Sequence, residues 1–129
     1  MNFTVDQLAS HTLNAAFKVH QQLGPGLLES VYETCLAHEL ESMNLQVQRQ
    51  VPLPVVYNDI RLDGGYRVDL LLENSLVIEI KSVESLNDLH VAQVLTYLKL
   101  GNFRLGLLLN FNTYKLKDGI RRLIMGYDT

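Results

Sequence analysis

The chain has 129 residues, 47% of them hydrophobic and 19% charged, with a formal net charge of −3. That length and apolar share fit one domain with one core, of radius of gyration about 14 Å, and exclude a disordered or low-complexity chain. A single cysteine, Cys35, excludes an internal disulfide and a cysteine-based zinc cluster, and the mild acidity argues against a protein that coats nucleic acid by bulk charge.

Residues 1–6 lack a basic segment followed by an apolar run, and no stretch approaches the ~18 apolar residues of a membrane span, so no membrane association and a cytoplasmic setting are expected. Thr4 is placed to cap a first helix, with Gln7 in capping-box position. Leu8, Ala15, Ala16, Val19 and Leu23 recur at helical spacing, and Gly24-Pro25-Gly26 ends the helix. A second helix over about 28–43 carries Leu28, Val31, Tyr32, Cys35, Leu36 and Leu40 as its apolar stripe. The period then changes to two. Val47, Val51, Leu53, Val55 and Tyr57 alternate with mostly polar partners, and Pro52 and Pro54 mark an edge or bent strand. Asn58-Asp59 and Asp63-Gly64-Gly65 offer turns, and strands follow over 66–72 and 76–81. Asn87 or Asp88 caps a third helix that reaches Leu100 and stops at Gly101. Residues 104–111 form the most continuously apolar segment, hence a central buried strand, and a short last element over 119–124 carries Arg121 and Arg122. The order predicts an α/β fold in a single domain over 1–129, a mixed central sheet flanked by helices.

Charge is unevenly spread. Residues 1–98 hold 5 basic and 12 acidic residues, whereas 99–129 hold 6 and 2. The basic last quarter is either ordinary surface or a face that lies along a phosphate backbone.

The hairpin over 66–81 is the most informative segment. A three-residue loop, Glu73-Asn74-Ser75, sets Leu72 opposite Leu76 and so Asp69 opposite Glu79, with Lys81 on the same face and Arg67 across from it. Tyr66, Val68, Leu70, Leu72, Leu76, Ile78 and Ile80 then form a core face. A two-residue loop would send Asp69 and Glu79 to opposite faces. Two opposed carboxylates repel, which signals either a raised pKa or a bound cation, and close oxygen ligands on a rigid hairpin suit Mg²⁺. The alternative is an amphipathic hairpin with a solvated outer face. His20 and His90 read as packing or surface residues, and Cys35 as core.

Asp69 followed by Glu79-Ile80-Lys81 and a helix reads as the PD-(D/E)xK signature, with Val68 in place of the usual proline. Gln93 and Tyr97 supply a QxxxY spacing on one helical face, and Gly26-Leu27-Leu28-Glu29-Ser30-Val31-Tyr32 matches GxxExxY. Over about 8–124 the sequence resembles the GxxExxY protein family of the PD-(D/E)xK nuclease superfamily. The resemblance implies a restriction-endonuclease-like core and a metal-dependent phosphodiesterase site. By that resemblance Asp69, Glu79 and Glu29 ligate Mg²⁺ (or Mn²⁺), Lys81 orients the attacking water, and Gln93 and Tyr97 support the site or contact phosphate.

Two functions follow. The first is a Mg²⁺-dependent nuclease acting on DNA, with RNA the less favoured substrate. The second is a catalytically silent module of the same fold that binds nucleic acid or a protein partner. A chain this short offers limited surface for gripping a duplex, so a homodimer is expected under the first reading.

Overall fold

The computed structural model describes residues 2–125. In chain order it has helices α1 (Val5–Leu23) and α2 (Glu29–Ser42), strands β1 (Val47–Pro52), β2 (Val55–Tyr57), β3 (Ile60–Leu62), β4 (Arg67–Leu72) and β5 (Leu76–Lys81), helix α3 (Asp88–Gly101), strand β6 (Leu105–Asn110), a 3₁₀ turn (Leu116–Gly119) and strand β7 (Ile120–Ile124). Five strands make one sheet in the order β1-β4-β5-β6-β7, and β2 and β3 pair separately as a short hairpin. Only β5 and β6 run parallel, and α3 is the crossover that parallel neighbours require. The expected mixed α/β sheet with flanking helices is what forms.

Both faces of the sheet are covered. Leu70, Leu72, Ile78, Ile80, Leu107 and Leu109 pack beneath α1 and α2, against Ala16, Leu36 and Leu40. Leu71, Val77 and Leu108 pack beneath α3, against Val94 and Leu98. Burial on two sides explains why β6 is apolar almost without interruption, as its sequence predicts. The central strand, however, is β5, with β6 between it and β7. At Gly106 an added Cβ would lie 2.9 Å from Val94 Cγ1, so a glycine lets α3 sit close to the sheet.

Local signals place most helix ends. Thr4 Oγ1 accepts from Gln7 N at 3.1 Å while Thr4 N donates to Gln7 Oε1 at 2.9 Å, the reciprocal box expected at α1. Asn87 caps α3, and His90 completes that box. The helix runs one residue past Leu100, and Asn102 in left-handed conformation stops it. Gly101 instead makes room for the Phe103 ring, which a Cβ would strike at 2.1 Å.

Helix α2 departs from its expected stripe. Tyr32, Leu36, Ala37 and Leu40 are buried, whereas Leu28 is 73% exposed and Val31 faces solvent. Leu28 is the N-cap and lies outside the helical repeat, so periodicity could not bury it. Segment 47–57 is likewise two strands, because Leu53-Pro54 interrupts the pairing.

Tyr32 ties the turn between α1 and α2 to the core. Its ring stacks on Phe111 with centroids 4.6 Å apart, its hydroxyl donates to the Gly24 carbonyl at 2.6 Å, and it accepts from Leu27 N at 3.1 Å. Gly26 holds φ +98°, a conformation that favours glycine. Tyr32→Phe keeps the stacked ring and loses both hydrogen bonds. It is expected to cost about 1–2 kcal/mol in urea unfolding with an unchanged denaturant slope; a loss below about 0.5 kcal/mol would contradict the anchoring role.

Candidate functional site

The β4–β5 register is the one the three-residue loop predicts: Leu72 opposes Leu76, Leu71 opposes Val77 and Leu70 opposes Ile78. There the ladder stops. Asp69 N donates not to a strand carbonyl but to Glu79 Oε1 at 2.8 Å, and Ile80 N donates to Asp69 Oδ2 at 2.8 Å. Each carboxylate thus satisfies an amide of the opposite strand, where a buried backbone donor would otherwise be left over. Beyond this point the strands splay, so Arg67 and Lys81 do not pair as expected.

The splay coincides with a change of face on β4. Leu70 and Leu72 point to the α1/α2 layer, but Val68 packs in the α3 layer. Strict alternation, which would put Val68 and Leu70 together, fails at Asp69, and Tyr66 is exposed rather than core. Strand β1 breaks at the same level. Arg49 pairs with Leu70 and Val51 with Val68, while Gln50, between them, has φ +53° and drops out of the ladder opposite Asp69. Strand β5 stays regular, with Ile78 and Ile80 both under α1 and α2.

The outer face of the hairpin is not solvated. Glu79 is 3% exposed and sits with Val77 on the side that α3 covers. Tyr97 of α3 lies close enough to Glu79 and Asp69 for their charge to raise its hydroxyl pKa, after burial, the larger cause. Lys81 Nζ donates to Gln93 Oε1 at 3.3 Å. Gln93 and Tyr97, which share a helical face by their spacing, thus both turn toward the hairpin, Gln93 bonded to Lys81 and Tyr97 within reach of the carboxylates' charge.

On the opposite side an open cleft of about 810 Å³ is walled by Leu27, Leu28, Glu29, Glu33, Asp69 and Ser82, among others. Glu29 opens α2 and accepts from Ser82 N at 3.2 Å, which links the helix to the end of β5. Glu33, one turn on, takes Arg49 Nε and Nη2 at 3.1 and 2.9 Å and Gln50 Nε2 at 2.6 Å. Asp69 stands in the gap between the two sides, joined to Glu79 and lining the same cleft as Glu29. Glu79 and Lys81 lie behind it, toward α3. Among the described residues no three His, Cys, Asp or Glu side chains form a ready metal cluster.

Burial and the neighbouring Asp69 carboxylate push the Glu79 carboxyl up from 4.5 to about 9. Burial also raises Asp69 from its ordinary value, against the lowering effect of the Ile80 amide and the Gln50 side chain. Buried like charges raise each other's pKa in this way unless a cation joins them.

Other candidates take structural places. His20 Nε2 lies 2.7 Å from the Thr113 carbonyl, and Cys35 packs at the edge of the α1/α2 core. Arg122 pairs with Asp6, and Arg121 donates to the Ile120 carbonyl at 3.0 Å. Both arginines lie on β7, the edge strand opposite β1, so the basic last quarter is not a wall of this cleft. Glu33 and Gln50 are the residues that sequence reasoning passed over. Glu33 had a signal, the i, i+4 spacing from Glu29 that places both on one face of α2. Gln50 had none.

The model of the PD-(D/E)XK nuclease superfamily matches residues 6–123. The chain belongs to that superfamily, and its mixed sheet is consistent with the restriction-endonuclease-like core of the group. Comparison with curated proteins and with solved structures gives no match.

The raised Glu79 fixes a sign for stability. The folded protein keeps a proton that the unfolded chain releases between pH 4.5 and about 9, so stability falls as pH rises through that window. The melting temperature of the metal-free protein is expected to drop from pH 5 to pH 9, and Glu79→Gln to flatten the decline. An equally steep decline in Glu79→Gln would contradict it.

Proposed function

We propose that the chain is a divalent-cation-dependent nuclease of the GxxExxY kind that hydrolyses phosphodiester bonds of DNA, with RNA the less favoured substrate. One observation carries this reading: Asp69 and Glu79 meet where the β4–β5 ladder opens, and Asp69 there lines a cleft of about 810 Å³. The donor set fits Mg²⁺ or Mn²⁺. All the groups are oxygens, and two carboxylates completed by waters are what Mg²⁺ ordinarily takes from a protein. Asp69 Oδ1 faces the cleft with only a 3.2 Å contact from Gln50. The Ile80 carbonyl points the same way as its amide, into the gap, and is a third oxygen. Glu29, on the same cleft wall as Asp69, would be the further carboxylate that holds the cation.

A bound cation supplies neutralisation of phosphoryl charge and a more acidic water. The protein's own groups do the rest. Asp69 and Glu79 would hold the cation, and the proton on Glu79 would pass to solvent as it bound. Lys81, whose ammonium donates to Gln93 Oε1, stands beside the two carboxylates and orients the attacking water by position and charge. Tyr97, buried against the pair, closes the α3 side to bulk water.

The alternative is a catalytically silent module of the same fold, which the lack of a three-acid cluster among the described residues favours. Nuclease assays with and without Mg²⁺ separate the two. Cleavage should require the cation, and Glu79→Ala and Lys81→Ala should each lose about 10²-fold or more of the rate. Cleavage that survives in both variants, or absence of any cleavage together with absence of Mg²⁺ and Mn²⁺ binding at millimolar metal, would overturn the nuclease reading.

A further inference from the structure

Gln50 is held in a conformation that its own residue type disfavours. Its φ of +53° lies in the left-handed region, which costs a non-glycine residue about 1–2 kcal/mol, and it lies in the middle of a strand. Flanking pairs of the β1–β4 ladder keep one register, so no inserted residue forces the kink. The side chain supplies the compensation. Nε2 donates to Glu33 Oε1 at 2.6 Å and to Asp69 Oδ1 at 3.2 Å, so the two hydrogens of one amide hold two carboxylates. Glu33 is in turn fixed by the Arg49 guanidinium, and Glu33, Gln50 and Asp69 all border the cleft.

We infer that Gln50 is the positioning residue of this site: its amide, anchored on Glu33, sets the Asp69 carboxylate with one oxygen toward the cleft and the other on the Ile80 amide. This rests on the reading of Asp69 as a cation ligand, and it adds a neutral group behind that ligand. A carboxylate at position 50 would repel both neighbours, and an ammonium would compete with the cation. The amide alone holds two anions close without contributing charge.

Gln50→Gly removes the side chain with both hydrogen bonds while relieving the left-handed strain, since glycine suits that conformation. Strain relief offsets the lost bonds, so the variant is expected to melt close to the natural protein. In the metal-free state its Ile80 amide, no longer capped by a fixed Asp69, should exchange with solvent about tenfold faster by NMR. Mn²⁺ should bind about 10–100-fold more weakly in calorimetry. Wild-type exchange at Ile80 in the glycine variant would overturn the positioning role, as would wild-type Mn²⁺ affinity. If the natural protein takes up no Mn²⁺, the cation reading falls on its own. Exchange at Ile80 still decides on Gln50, acceleration supporting the role and unchanged protection overturning it.

Discussion

Where the β4–β5 ladder opens, two backbone amides lose their strand partners and two carboxylates take them. Asp69 N goes to Glu79 and Ile80 N to Asp69. The exchange makes the gap tolerable, since a buried unpaired amide costs about 1–3 kcal/mol. It also places two acids side by side, Glu79 under α3 and Asp69 in the gap, and burial and mutual repulsion lift Glu79 to about 9. The same contact therefore shapes the sheet and creates an electrostatic cost that a divalent cation would relieve.

The remaining architecture serves that opening. The central position of β5 brings Glu79 and Lys81 under α3, where Gln93 meets Lys81 and Tyr97 meets the carboxylates. On the other side the turn after α1 is pinned by the Tyr32 hydroxyl, and Gly26 allows the chain to bend into α2. Glu29, the first residue of that helix, thereby reaches the end of β5 through Ser82. The three fixed residues of the GxxExxY pattern thus have separate physical tasks: a glycine for the turn, a glutamate for the cleft and a tyrosine that locks one to the core.

Much of this was legible in the sequence, for a local reason. The hairpin over 66–81 closes on itself, so its loop length sets the register, and the three-residue loop, one of two the sequence allowed, brings Asp69 against Glu79. Spacing put Gln93 and Tyr97 on one helical face, but it was the family resemblance that singled them out for the site. What was not legible depends on contacts distant along the chain. Val68 changes layers because the ladder opens, which alternation does not foresee. Gln50 combines a left-handed conformation with bonds from its amide to Glu33 and Asp69, residues far from it along the chain. Strand β3, three residues long, has too little pattern to read, and Leu28 was counted in a stripe that the helix begins just beyond. The shift of charge toward the C-terminus was real, but topology carries Arg121 and Arg122 to the far edge.

If the carboxylate pair is a site awaiting a cation, binding must expel the proton that Glu79 holds. Calorimetric titration of the natural protein with Mn²⁺ at pH 7.5, repeated in buffers of different ionisation enthalpy, measures that proton directly. Release of about one proton per bound cation is predicted. Cation binding with no proton released, or no binding at all, would contradict the account.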